Sequence, residues 1–243
     1  MSNIHIRLGA ARNWHTTNGA ASTGRAFNGR SLLDGVELAE YVADTNGIDS
    51  FERAVASLNG FFAVIHNSGS IALAAVDHVR SIPLFYATTG NHFYLSDDAR
   101  WIESAAGTAK RDELATAEFL LTGYVTGRNT LNPCVKQLQA GEIVIARNTG
   151  TGISVSTRRY FEFLRTDQLV RPREELMREL STRFSESIER LLTWANGRQL
   201  VLPLSGGYDS RLIAALLKRF GHERVLTYTY GRPGSAEVRI SHD

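Results

Sequence analysis

Cysteine is almost absent: Cys134 is the single thiol in 243 residues. One thiol cannot form an intrachain disulfide, which excludes a disulfide-stapled fold and suits a reducing cytoplasm. Deep in the chain, Cys134 reads as an inert core thiol. Long apolar runs are also missing, none approaching the ~20 residues of a membrane span. The N-terminus lacks the charged-then-apolar order of a secretory signal. Charge of either sign is not in excess, with 27 basic and 25 acidic residues giving a net +2. That balance offers no electrostatic footprint for nucleic acid or an anionic membrane. Metal spacing is absent too. The seven histidines (His5, His15, His66, His78, His92, His222, His242) include no i, i+4 pair and have no companion cysteine, so they read as surface or core residues.

What is present is a globular composition, 43% hydrophobic and 21% charged, in a length that allows one large or two small domains. Residues 2–8 alternate as a half-buried strand does, and Asn18-Gly19 and Asn28-Gly29 are turn signals. Residues 31–42 and 49–58 have helical spacing. Residues 61–65 and 71–76 read as strands around Ser68-Gly69-Ser70, and residues 83–86 and 92–96 as a hairpin around Thr89-Gly90-Asn91. Asp112 caps a helix to Thr122, and residues 141–146 and 153–156 flank a Gly-rich turn. Residues 157–171 read as a basic, irregular linker. From Pro172 at its first position, a helix places Leu176, Leu180, Phe184, Ile188 and Leu191 on one face.

Residues 199–211, QLVLPLSGGYDSR, are the most informative stretch. The apolar run 200–204 suits a buried strand, Ser205-Gly206-Gly207 breaks it, and residues 210–219 resume with helical spacing. A strand feeding a glycine turn at a helix start gathers backbone N–H groups at the positive end of a helix dipole, a natural anion site. Ser205 and Ser210 add hydroxyls, and Asp209 adds a carboxylate able to hold Mg²⁺. An ordinary strand-to-helix turn with a capping serine fits the same residues. The G-x-x-x-x-G-K-[ST] and G-x-G-x-x-G fingerprints are absent, and Pro203 stands where a nucleophile elbow needs its first glycine. Gly221 then caps the helix, and residues 225–230 form a second strand, making a βαβ unit that ends in Gly231-Arg232-Pro233-Gly234-Ser235. Glu237 follows at the next helix start.

Ser205-Gly206-Gly207-Tyr208-Asp209-Ser210 resembles the SGGxDS pyrophosphate loop of the asparagine synthetase family. Residues 58–86 resemble that family's central hairpin with its following loop, Asp77 standing where the family has the aspartate of an Arg-Asp pair. Residues 118–146 resemble its connecting helix and turn, and Asn28-Gly29-Arg30 resembles an Asn-Gly-Glu substrate turn with Arg in place of Glu. The resemblance implies an α+β αββα sandwich of the class II amidotransferase type over residues 1–160 and a linker and helix over 161–198. Residues 199–243 are then the start of an α/β parallel-sheet ATP-binding domain. Leu204, Ser205, Gly206, Gly207, Asp209, Ser210, Tyr230 and Gly231 are the implied ATP and pyrophosphate contacts, with Mg²⁺ on Asp209.

The implied activity is an AMP- and pyrophosphate-forming ligation of a small-molecule carboxylate to an amine, as in asparagine biosynthesis. The family's N-terminal cysteine nucleophile is replaced by Ser2, a weaker nucleophile unless a base such as its own α-amine activates it. The family's glutamine-binding Arg-His-Arg-Gly-Pro-Asp segment is not found either. The first domain is therefore expected to be a scaffold, with ammonia or an internal amine as nitrogen source. β-Lactam synthetase-like or peptide-cyclising ligation and a truncated, non-catalytic nucleotide- or partner-binding protein are the alternatives. The chain ends at Asp243, before the family's further strand, acidic motif and catalytic lysine, so a second chain or a homo-oligomer is expected to complete the domain.

Overall fold

The computed structural model describes residues 3–164, 170–205, 207–232 and Val238. Ser2, Gly206, Arg165, the 233–235 turn, Glu237 and Asp243 lie outside the described residues. The chain divides into two compact units, 1–164 and 165–243.

The first unit runs β1 (Ile4–Arg7), β2 (His15–Thr17), β3 (Ala20–Asn28), β4 (Ser31–Asp34), α1 (Gly35–Ala43), α2 (Ile48–Ser57), β5 (Leu58–Asn67) and β6 (Ile71–Val76). It continues with β7 (Phe85–Thr89), β8 (His92–Ser96), α3 (Ala99–Ala105), α4 (Glu113–Thr122), β9 (Val135–Gln137), β10 (Glu142–Asn148) and β11 (Ile153–Arg159). Four strands form one sheet in the order β1-β8-β7-β9, and seven form another, β11-β10-β6-β5-β3-β2 with β4 paired to β3.

Alternation along the central strands builds the layers. On β5, Ala63 and Ile65 point into a core shared with Tyr86, Phe93 and Leu95 of the smaller sheet, whereas Phe62 and Val64 face Leu38, Phe51 and Val55 of α1 and α2. Strand β10 repeats the rule, with Val144 and Ala146 between the sheets and Ile143 and Ile145 under the helices. Small residues line the inter-sheet side (Ala21, Ala63, Ala72, Ala74, Ala146), and the bulk comes from Phe93 and Leu95 opposite. Ile102 and Ala106 of the α3 region cover the outer face of the smaller sheet against Ala87 and Val135. The order of layers is α, β, β, α.

Two glycines permit the central β3–β5 pairing. A Cβ on Gly60 would stand 2.3 Å from the Arg25 carbonyl oxygen, and one on Gly24 2.1 Å from that of Phe61. Gly24 also adopts φ +88°, a conformation strained for any side chain. Gly60→Ala is expected to destabilise this unit by about 1–3 kcal/mol through steric overlap alone. Gly24→Ala is expected to cost about 1–2 kcal/mol more through backbone strain. Urea-unfolding midpoints of the two variants check the ranking.

Local structure departs from the sequence reading in several places. Residues 31–34 are strand, not helix, because Ser31–Asp34 pairs back onto β3 across the Asn28-Gly29 turn, and the helix starts only at Gly35. Thr157, Arg158 and Arg159 are not linker. They complete β11 in register with Glu142–Val144, and Arg158 pairs with Asp49 and Glu52 at 3.2 and 2.5 Å. Cys134 is partly exposed rather than a core thiol, since it lies in the turn ahead of β9 where Asn132 caps its N–H.

Burial also tunes two imidazoles. Thr45 gives its hydroxyl proton to Val42 O (2.6 Å), so His66 Nδ1, 3.2 Å from Thr45 Oγ1, is the donor in that contact. Desolvation lowers the His66 pKa, and it lowers that of His78 against a smaller opposing pull from Asp77. A folded pKa below the unfolded value of about 6.5 means that protonation favours the unfolded chain. Stability is therefore expected to hold above about pH 6.5 and to fall as the pH drops toward the depressed folded values. Thermal melts of His66→Gln and His78→Gln are expected to show a shallower acid slope.

The second unit contains α5 (Arg173–Ala195), β12 (Leu200–Pro203), α6 (Tyr208–Arg219) and β13 (Val225–Tyr228). Pro172 is the N-cap of α5 rather than its first residue, with an extended ψ of 138°. Arg171 pairs with Glu175 and Glu179, both one face along α5, at 3.0 and 2.5 Å. Strands β12 and β13 pair in parallel, with Leu200 opposite Val225 and Pro203 opposite Tyr228. Ile188, Leu216 and Leu217 form a small core with Leu192, Leu200, Ile213, Phe220 and Val225. One strand face is thus covered by α5 and α6, while Val201 and Leu226 on the other remain 57% and 51% exposed. No helix among the described residues is long and apolar enough to cross a membrane.

Candidate functional site

The predicted phosphate loop joins the carboxyl end of β12 to the start of α6. Leu204 leaves the strand anchored twice: its N–H donates to Tyr228 O (2.8 Å), and its carbonyl accepts from Thr229 Oγ1 (2.5 Å). The loop therefore starts from a fixed point on the neighbouring strand. Ser205 and Ser210, five residues apart, are brought to 3.1 Å between hydroxyl oxygens. Ser210 Oγ also lies 3.0 Å from Ser205 O, its better-placed acceptor. Gly207 is the N-cap of α6, and no side chain caps the helix. Its backbone N–H reaches Ser205 Oγ only at 3.4 Å, a weak contact. The first-turn N–H groups of this 12-residue helix consequently face outward without a capping oxygen.

Space matches the donors. A Cβ on Gly207 would meet only Ser205 Oγ, at 3.3 Å, so the main chain here is open to an approaching ligand. Asp209 lies exposed in the first turn of α6, where a divalent cation can reach it without desolvating a core. Ser hydroxyls and uncapped N–H groups are donors of the kind that bind anions, and an accessible carboxylate is a ligand type for a divalent cation.

Leu204, Ser205, Gly207, Asp209 and Ser210 are thus gathered at one strand end. Tyr230 lies past β13, two residues beyond its end at Tyr228; it is 83% exposed and its ring stacks on Tyr228 at 6.3 Å between centroids. Gly231 follows it, exposed. Sequence reasoning missed Thr229, which locks Leu204 from one residue past the end of β13, because a threonine there carries no local sign of a tertiary hydrogen bond. It also missed Arg211, whose guanidinium packs over the Tyr208 ring (4.8 Å) with Nε 3.4 Å from Gly207 O.

In the first unit, Asp77 is fully buried at the end of β6 and receives N–H groups from Phe62 (3.2 Å), Val79 (3.0 Å) and Ser81 (3.1 Å), and the Ser81 hydroxyl. Among the described residues its carboxylate meets no guanidinium, and it orders the 77–81 turn. Arg80, at φ 55°, turns away to Gln137 Oε1 and Leu138 O. Asn28, Gly29 and Arg30 make the tight β3–β4 turn, with Arg30 exposed.

Solved structures show distant similarity to this chain, and two of them illustrate it. One is the allosteric regulatory enzyme of purine biosynthesis, 13% identical, covering 63% of this chain and 31% of its own, with a TM-score of 0.35. The other is glutamine phosphoribosylpyrophosphate amidotransferase from B. subtilis complexed with ADP and GMP, 15% identical, covering 62% and 31%, with a TM-score of 0.34. The chain spans 31% of the length of each. No family model and no curated protein matches the sequence.

Proposed function

We propose that residues 199–232 form the nucleotide-phosphate part of an asparagine synthetase-type ligase, with ATP as substrate and Mg²⁺ as cofactor. The observation that carries the reading is the Ser205–Ser210 hydroxyl pair, 3.1 Å apart beside glycine at the uncapped start of α6. In this role Ser205, Gly206, Gly207 and Ser210 hold the pyrophosphate portion of ATP, and Asp209 holds its magnesium. Leu204, Tyr230 and Gly231 lie toward the nucleoside. A substrate carboxylate oxygen attacks the α-phosphorus, the α–β phosphoanhydride bond breaks, and pyrophosphate leaves. An amine then attacks the acyl carbon, AMP departs, and the amine loses a proton to solvent. The N–H groups and magnesium stabilise the charge that builds on the leaving pyrophosphate.

The first unit is proposed as a scaffold of amidotransferase type, with Ser2 a weak nucleophile at most and ammonia or an internal amine as nitrogen donor. A second copy or a second chain is proposed to cover the exposed strand face that carries Val201 and Leu226. The protein is placed in the cytoplasm in this reading, consistent with a free Cys134.

The test is calorimetric binding of Mg-ATP and of pyrophosphate, followed by pyrophosphate release with small carboxylic acids. Saturable binding of both ligands is expected; no binding of either would overturn the assignment. Binding without turnover for any acid or amine would favour the non-catalytic nucleotide-binding reading. Glutamate release from glutamine above background would overturn the scaffold assignment of the first unit.

A further inference from the structure

We propose that His5 and His92 form a two-imidazole surface site for a divalent transition-metal ion, with Cu(II) preferred over Ni(II) and Zn(II). The two residues are 87 positions apart in sequence, and their ring nitrogens, His5 Nε2 and His92 Nδ1, lie 2.9 Å apart. The fold makes this meeting. Strand β1 pairs in parallel with β8, putting His5 opposite Tyr94, and His92 two residues earlier on β8 shares that face. Tyr94 stacks on His5 with ring centroids 4.9 Å apart, which fixes one ring and leaves His92 exposed beside it.

Geometry argues for chelation by the pair. A metal held by two imidazole nitrogens at about 2.0–2.1 Å keeps the ring centres about 4.5–5.2 Å apart for bite angles from about 90° to 110°. The His5 and His92 ring centres are 5.1 Å apart, with planes inclined by 33°. Strand pairing therefore already holds the two rings at the centre-to-centre spacing that chelation of one ion requires. Without metal, one facing nitrogen donates a proton to the other. On binding, that proton exchanges through solvent to the far nitrogen of its own ring, so both imidazoles ligate as neutral donors. No cluster of three or more His, Cys, Asp or Glu side chains exists among the described residues, so water fills the remaining positions. Two nitrogen donors with open positions follow the general order of divalent affinity, in which copper stands highest.

Titration of CuCl₂ into the full chain without a histidine tag, in a non-coordinating buffer, tests the site. One tight equivalent is expected, with electron spin-echo modulation from two equatorial imidazoles. His5→Gln and His92→Asn are each expected to lose on the order of tenfold to a hundredfold in affinity and to leave one imidazole, because chelation is lost. His15→Asn, which removes another exposed imidazole, is expected to change nothing. Far-UV circular dichroism confirms that the variants fold. An unchanged tight equivalent in either His5→Gln or His92→Asn, a single-imidazole signature in the parent, or no tight equivalent at all overturns the proposal.

Discussion

Asp77→Ala is expected to destabilise the first unit by about 2–4 kcal/mol, because it removes a fully buried carboxylate from the donors gathered around it. The Phe62, Val79 and Ser81 N–H groups and the Ser81 hydroxyl all spend their bonds on this one carboxylate. An alanine leaves the buried Phe62 N–H without its acceptor, at a cost of about 1–3 kcal/mol, and frees the Val79 and Ser81 groups of the exposed turn to seek water. The effect should spread beyond the turn. Asp77 O accepts from Gly141 N (2.9 Å), and Phe62 lies in the core under α1 and α2. Asp77→Asn keeps an acceptor oxygen and is expected to cost clearly less than alanine. Chemical denaturation followed by near-UV circular dichroism reports the loss. A midpoint for Asp77→Ala within error of the parent would show that the turn reorganises around water and that the carboxylate does not organise it.

Gly207→Val is expected to abolish detectable Mg-ATP and pyrophosphate binding while leaving the fold intact. The residue sits at φ −75° and ψ 159°, which a valine adopts without strain, and its new Cβ meets only the Ser205 hydroxyl at 3.3 Å. The side chain instead fills the space through which a phosphate must approach the uncapped end of α6. Asp209→Ala should act differently. It keeps the cradle and removes the magnesium contact, so the loss is expected to be on the order of tenfold or more and larger for Mg-ATP than for metal-free pyrophosphate. Equal binding by the parent and Gly207→Val would place the ligand elsewhere. Equal Mg²⁺ dependence in Asp209→Ala would remove that carboxylate from the site.

Local chemistry made much of the molecule legible. Strand β6 was readable to the residue because Ile71–Val76 is an apolar run bounded by a Ser-Gly-Ser turn. Helix α4 was readable because Asp112 accepts from Ala115 N and Gly123 closes it at φ 81°, the capping rules written into sequence. The start of α1 was not. Residues 31–34 have helical spacing, but pairing with β3 satisfies their backbone in extended form, a gain invisible until the partner strand is in place. The same reason hid the strand end at Thr157–Arg159, whose arginines looked like linker charge and instead lie on a sheet edge, Arg158 beside Asp49 and Glu52 and Arg159 on the Ala140 carbonyl.

The sequence by itself determined where the chain alternates, turns and caps, and it placed serines and glycine at a strand-to-helix junction. Periodicity and turn chemistry act over a few residues and leave their mark in order. Tertiary structure alone decided which distant residues meet. It brought the Ser81 hydroxyl and three N–H groups onto Asp77, set Thr229 against Leu204, and laid His5 beside His92. Those meetings depend on strand pairing and register, which carry side chains to a common face whatever their separation along the chain.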